Sequence, residues 1–393
     1  MNMAFKLHVT PGGMKASAQF SSTSLWLPAT PYELLDIWDR FGLSAGEPVR
    51  FTVEGDLLEN IPGLSSADAV DRSRDDLYAL NHLTQKLSEL DDTDRLAFAG
   101  LLRIDELQRK RPPDILRLID LAYSLESCRV ALSVRTDEQL GEFVVEYGLD
   151  AELEELPDEA LDWLHCKGLL NYPEIGKQHR LSENGVFIHM AGHGICGYVE
   201  QYMEMQEVSK QLDLHMKEPD YAILLRMSDG REMKLPTEEP LPEGSFTCLD
   251  CRIPAITDRI SQERDLAKVN RFAQLLDTLT PKELTTCKAV IEAMACSTLE
   301  QVADVIRNVE EYILSPNQRT PADYAKEMLS VILNSREAKE LTPFVNLHRY
   351  GEALMQRLHC TATEYGIVER NDGQPLMRFS EEQNEMTGME GMT

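Results

Sequence analysis

Two stretches of this chain, 189 residues apart, share one helical spacing, and that pairing limits the fold more than any other feature. Leu80-Asn81-His82-Leu83 matches Val269-Asn270-Arg271-Phe272. At the same offset Leu87 matches Leu276, Leu90 matches Leu279, Asp94 matches Glu283, and Leu101-Leu102 matches Val290-Ile291. Ile115, Leu118, Ile119 and Ala122 then correspond to Val302, Val305, Ile306 and Val309 after a two-residue slip. Farther on, Asn171, Ile175 and Gly176 correspond to Asn346, Tyr350 and Gly351. Cys196-Gly197-Tyr198-Val199-Glu200 corresponds to Tyr365-Gly366-Ile367-Val368-Glu369. The order is preserved throughout, which reads as a divergent internal repeat whose second copy keeps the packing frame of the first.

Local signals divide the chain further. Thr30-Pro31 starts a helix with Thr30 as N-cap and Leu34, Leu35, Trp38 and Phe41 on its apolar face, and Gly42 closes it. Val49 to Val53 alternates as a strand, which makes residues 1–72 a small α/β domain. Leu77, Leu80, Leu83, Leu87 and Leu90 recur at three and four, and Asp114 caps a further helix, so 73–135 is expected to be helical, with a short strand at Val130–Val134. Residues 136–200 form an acidic α/β domain: a helix capped by Thr136, a helix from Tyr172 to His179, then a glycine-rich, strand-like stretch. Residues 201–259 read as a linker helix (Glu200 to His215), a hairpin around Ser228-Asp229-Gly230, and the start of the second copy. Residues 260–318 repeat 73–135, residues 319–379 are a shortened repeat of 136–200, and 380–393 is a polar tail.

Charge narrows the function. The 393 residues carry 67 acids against 39 bases, a formal charge of -28, while 42% apolar content marks a globular protein. Phosphate-binding and anionic-lipid-binding faces need clustered Lys and Arg, so direct nucleic-acid and membrane binding are disfavoured. The sequence shows no membrane span and no signal peptide, and its thinly spread cysteines suit a reducing cytoplasm. From Glu146 to Asp162 there are eight carboxylates and no Lys or Arg, threaded with Tyr147, Leu149, Leu153, Leu156, Leu161 and Trp163. Those apolar residues are expected to pack inward and hold the acids on a fixed surface. Holding like charges together costs free energy, so such a surface suggests a use. Between Glu89 and Asp162 there are 20 acids and 8 bases, a net of -12 over 74 residues. Duplex DNA carries one negative charge per roughly 1.7 Å of axis. Helices rising about 1.5 Å per residue can approximate such a ladder with carboxylates every second to fourth residue.

Enzyme signals are weak. Cys248-Leu249-Asp250-Cys251 has the spacing of a redox pair or half a zinc site, but no second pair lies near it. His189 and His193 lack the helical His-Glu-x-x-His arrangement, and Gly192-His193-Gly194 is followed by no Lys-Ser or Lys-Thr. The reading is of a protein that is not an enzyme and uses no cofactor or metal.

One set of short motifs resembles a known family. Leu118-Ile119-Asp120-Leu121-Ala122-Tyr123-Ser124-Leu125-Glu126, Glu138-Gln139-Leu140-Gly141-Glu142-Phe143, Tyr172-Pro173-Glu174-Ile175-Gly176-Lys177, Gly185-Val186-Phe187 and Gly197-Tyr198-Val199 are similar to the ArdA family of antirestriction proteins. The likeness runs from Phe20 to Glu200 and more weakly to Glu369. It implies an α+β fold, an elongated multi-domain chain of small mixed α/β and helical modules, here as a tandem repeat. It also implies a DNA mimic that occupies the DNA groove of a type I restriction-modification enzyme, or of another DNA-binding protein with a basic groove. The family dimerises; a tandem chain could form a homodimer, or remain a monomer with its copies as a pseudo-dimer. The chain is more than twice the usual length and carries an insert between copies. The acids expected to act collectively are Glu89, Asp91, Asp92, Asp94, Asp137, Glu138, Glu142, Glu146, Asp150, Glu152, Glu154, Glu155, Asp158, Glu159 and Asp162. The alternatives are an acidic regulator or scaffold that binds protein without copying DNA, and an enzyme using His189, His193, Cys248 or Cys251.

Overall fold

The computed structural model describes residues 5–12, 22–54, 57–58, 61, 64, 70–149, 157–180, 184–333 and 335–376. Among them the chain is a mixed α/β protein with 14 helices and four small antiparallel sheets. It begins with β1 (Phe5–Pro11), β2 (Thr23–Leu27), α1 (Pro31–Phe41), β3 (Val49–Glu54) and β4 (Asp71–Arg72). Two compact units are present. One is drawn from Met1–Met14, Ser24–Pro28 and Pro48–Met216, the other from Lys15–Thr23, Ala29–Glu47 and Lys217–Thr393. Helix α1 thus belongs to the second unit, and most of the strands around it in sequence belong to the first.

In the first unit the leading sheet has the order β2-β1-β3-β4, with β1 and β3 antiparallel from Lys6 opposite Glu54 to Pro11 opposite Val49. Strand periodicity puts Phe5, Leu7, Val9, Val49, Phe51 and Val53 on one buried face. Then come α2 (Arg74–Ser88), α3 (Asp92–Arg109), α4 (Ile115–Tyr123), β5 (Cys128–Leu132), α5 (Asp137–Glu146), α6 (Asp158–Cys166), α7 (Tyr172–Arg180), β6 (Gly185–Met190) and β7 (Ile195–Gln201). The leucine spacing of α2 buries Leu77, Leu80, Leu83 and Leu87 completely. The sheet β5-β7-β6 is the middle layer of a sandwich. Alternate residues of β7 point opposite ways: Val199 meets Leu96 and Ile104 of α3, whereas Tyr198 meets Leu140 and Val144 of α5. Glycine allows the tight approaches here. A Cβ on Gly100 would lie 2.4 Å from Val199, and one on Gly176 of α7 would lie 1.8 Å from the Asp137 carbonyl oxygen of α5.

The helix expected over 200–215 is absent. Beyond β7 the chain is irregular, apart from a short 3-10 turn at Val208–Lys210. Its backbone donors are satisfied from outside. Tyr202 N donates to Ser127 O (3.0 Å), Gln206 N to Ser124 Oγ (3.0 Å), Ser209 N to Asp120 Oδ1 (2.8 Å) and Met216 N to Asp75 Oδ1 (3.0 Å). With those N–H groups bonded to the helical layer, the segment has no need of internal helical bonds.

The second unit adds β8 (Ile223–Met227), β9 (Glu232–Leu235), β10 (Phe246–Cys251), α8 (Thr257–Gln262), α9 (Leu266–Asp277), α10 (Pro281–Met294) and α11 (Leu299–Arg307). The hairpin at Asp229-Gly230 forms, and β10 joins it in the order β10-β8-β9. Ile223, Leu225, Val269, Leu276, Val290 and Val302 share one core. There follow β11 (Tyr312–Ser315), α12 (Pro321–Ile332), α13 (Ser335–Leu341), α14 (Leu347–Leu358), β12 (Thr361–Thr363) and β13 (Gly366–Arg370), with sheet order β11-β13-β12. Val368 faces the main core, while Ile367 packs with Tyr324, Leu354 and Met355. Helices α12 and α14 touch through Gly351, where a Cβ would meet the Pro321 carbonyl oxygen at 1.7 Å.

Helix α1 is fixed by its own caps and by buried charge. Thr30 and Glu33 form a capping box, Pro31 opens the helix, and Gly42 closes it at φ 62°. Its Asp36, side chain 2% exposed, receives Lys288 Nζ of α10 at 2.6 Å, Arg40 Nε at 2.7 Å and Tyr365 OH at 3.0 Å. Lys288, side chain 3% exposed, also reaches Asp39 Oδ2 at 2.7 Å. Every charge in this cluster has a partner, as burial demands.

Candidate functional site

The predicted acids fall on three elements of the first unit. Asp150, Glu152, Glu154 and Glu155 lie outside the described residues, as does the side chain of Asp158. Helix α5 exists because Thr136 caps it, its side chain accepting from Gln139 N, and because Leu140, Gly141 and Val144 fit against β7 and α7. That buried stripe forces Glu138, Glu142 and Glu146, spaced by four residues, onto the exposed face. None of the three forms an ion pair with a described residue. Asp137 behaves differently: Arg180 Nε of α7 lies 2.8 Å from its Oδ1, so it ties two helices together rather than offering a free charge.

Helix α6 adds Glu159 and Asp162, both exposed. It is joined to α7 by a hydrogen bond between His165 Nδ1 and Tyr172 OH. Trp163 and Tyr147 were expected to pack inward; they are 56% and 61% exposed, and Leu169 is 59% exposed. The core under α5 is already filled by Leu140, Val144 and Tyr198, with Phe143 and Leu149 packed at its edge. These outward aromatic residues sit among the acids, and an apolar residue inside an acid run gave no signal of direction.

The third group surrounds the α2–α3 turn. Asp91 is the N-cap of α3, accepting from Asp94 N at 2.9 Å, and Asp92 lies 3.6 Å from Arg95 Nη1. Asp94 is half-buried, and burial, then neighbouring Asp91, push its carboxyl above the usual range. Glu89 is exposed at the C-cap of α2, and with Asp91 and Asp92 it lines an open groove of about 740 Å³. Behind it, His82 Nε2 and Tyr123 OH are 2.9 Å apart, and burial holds the His82 ring below its usual pKa against the pull of Glu89.

Six acids are therefore exposed and free of ion pairs among the described residues: Glu89, Glu138, Glu142, Glu146, Glu159 and Asp162. Helices α3 and α5 cover opposite faces of the β5-β7-β6 sheet, so the carboxylates form two groups rather than one patch. Magnitude matters here. The α5 stripe sets three charges along about 12 Å of helix axis, where duplex DNA would set about seven. Helix α5 alone is too sparse to copy a duplex; α6 and the α2–α3 turn would have to contribute.

The other sequence candidates are not assembled into a site. His189 lies on β6 and His193 in the turn after it, and no group of three or more His, Cys, Asp or Glu among the described residues could hold a metal ion. Cys248 and Cys251 are buried, free thiols of β10; burial pushes Cys248 up to about 12, far from the thiolate range needed for reactivity. No helix among the described residues is long and apolar enough to cross a membrane. No family model matches the chain, and neither does a curated protein or a solved structure.

Proposed function

We propose that this chain is an antirestriction protein of the DNA-mimic type, resembling the ArdA family, and that it occupies the basic DNA groove of a type I restriction-modification enzyme. The carrying observation is the set of unpaired carboxylates that α5, α6 and the α2–α3 turn hold outward on buried apolar stripes. A tandem repeat supports this reading. The two three-stranded sheets share one strand order, and the N-caps Asp114 and Thr298, like Thr136 and Thr320, are 184 residues apart. Gly197 backs onto the Ala131 carbonyl and Gly366 onto that of Ser315, at the same spacing. Ile115 then pairs with Leu299 rather than Val302; a three-residue shift is close to one helical turn and leaves apolar periodicity intact. Counted from their N-caps, α5 has Glu138, Glu142 and Glu146 where α12 has Ala322, Lys326 and Ser330. The same packing is thus achieved without the acid stripe, so the acids answer to something other than folding.

The test is a Glu89, Glu138, Glu142 and Glu146 to Gln variant that keeps the parent's circular dichroism and unfolding midpoint. Its affinity for a type I enzyme should drop by about tenfold or more, through slower association and with a flatter salt dependence. Duplex DNA should displace the parent competitively. Unchanged affinity, or a ternary complex with DNA, refutes the mimic.

A second reading draws on the exposed Tyr147, Trp163 and Leu169: an acidic regulator that grips a protein partner by apolar contact. Under that reading Trp163→Ala would weaken binding more than the four-acid variant, and DNA would not compete.

A further inference from the structure

The second unit holds a cleft of about 260 Å³ that the mimic reading does not use. Its walls are Arg40 and Phe41 of α1, Glu292 of α10, Arg319 just ahead of α12, and Thr363 and Glu364 of the β12–β13 hairpin. Arg40 is fully committed, to Asp36, to Thr23 Oγ1 at 3.1 Å and to Glu364. Arg319 is not. Its guanidinium lies 5.6 Å from the Phe41 ring centroid and its Nη1 donates to the Glu364 carbonyl. Its Nη2 is buried with no hydrogen-bond partner among the described residues, and it forms no ion pair with them. Unmet buried donors of this kind are rare because they are costly.

Glu292 is the complementary case. Both its carboxylate oxygens receive the Glu364 backbone N–H at 3.2 Å, and no Lys or Arg lies within ion-pair distance among the described residues. Burial holds Arg319 below and Glu292 above their ordinary values, so each charge sits where it is under-compensated. A purely anionic ligand would serve Arg319 and repel Glu292; a purely cationic one would do the reverse. We propose that the cleft binds a small zwitterion of the α-amino-acid class, with its carboxylate toward Arg319 and its ammonium toward Glu292. The volume lies just under the roughly 300 Å³ at which ligand pockets usually start. That restricts the side chain to a glycine- or alanine-sized group.

The experiment is an amide NMR titration of the full chain with glycine and with L-alanine, with acetate and methylammonium as half-probes. Saturable shifts are expected at Glu292, Arg319 and Glu364, with each half-probe binding about tenfold more weakly or worse. Glu292→Gln, on the exposed rim, should lose about tenfold in affinity with an unchanged unfolding midpoint. Arg319→Lys, which keeps charge but not the second N–H arm, should lose as much; if it fails to fold, Glu292→Gln decides alone. A cleft that takes up only water, acetate binding as well as glycine, or Glu292→Gln binding like the parent would each overturn the proposal.

Discussion

Lys288→Ala is expected to destabilise the second unit by about 3–5 kcal/mol, the usual cost of removing one partner from a buried ion pair. The loss does not come from the missing side chain's own contacts alone. It comes from leaving Asp36, 2% exposed, with only Arg40 and Tyr365 to offset its charge. Urea unfolding followed by tryptophan fluorescence would measure it, since Trp38 lies on the same helix, two residues from Asp36. Adding Asp36→Asn to Lys288→Ala should restore part of the loss, because the uncompensated charge is then gone. The cluster also sets a pH window. Burial alone would raise the Asp36 carboxyl, but Lys288 and Arg40 more than offset it and the net shift is downward. Its contribution is therefore complete above the unfolded value, about 3.9, and is lost as pH falls through the lower folded value. Lys288 runs the other way: Asp36 and Asp39 outweigh burial and raise it, so its contribution holds below about 10.4 and fades above the folded value. In Lys288→Ala the acid loss should begin at higher pH.

Gly176→Ala is expected to cost about 3 kcal/mol, the upper end for overpacking, because the obstacle is a backbone carbonyl that no rotamer change can move. The added carbon would lie 1.8 Å from the Asp137 oxygen, and Gly141 on the facing helix leaves only 2.0 Å to the Tyr172 oxygen. Relief requires α5 and α7 to part, which would break the Asp137–Arg180 pair and tilt the Glu138, Glu142 and Glu146 stripe. Gly168→Ala separates clash from strain: at φ +63° it has nothing within 4 Å, so only the left-handed backbone cost of about 1–2 kcal/mol should appear. Thermal unfolding of the two variants should rank them in that order; equal losses would mean that the helix contact has more give than its distances imply.

What the sequence made legible was local. Thr30, Asp91, Asp114 and Thr136 are caps because a short oxygen-bearing side chain ahead of an apolar period carries its own physics, and each does cap a helix. The hairpin near Ser228-Asp229-Gly230 follows from turn chemistry in the same way. What stayed hidden was non-local. Strand β11 is four residues long inside a stretch that reads as helical, and only its pairing with β13 makes it a strand. The 202–216 segment has helix-compatible apolar spacing but spends its donors on Ser124, Ser127 and Asp120. Of the acid surface, composition gave the region. It did not distinguish Glu138, facing solvent, from its neighbour Asp137, bound to an arginine 43 positions later. The Asp36–Lys288 bond spans 252 positions and left no mark on either local pattern.

That last bond bears on how the gene could be cut. The residues after Met216 look like a cassette, but their interior is completed by α1, which is encoded near the other end. A fragment begun at Lys217 would bury the Lys288 ammonium with neither Asp36 nor Asp39 to receive it, and Tyr365 would lose its acceptor. Such a fragment should stay unfolded alone and close only when a peptide of residues 29–47 is supplied in trans. Recombination that carried off the back half by itself would deliver a lock without its bolt.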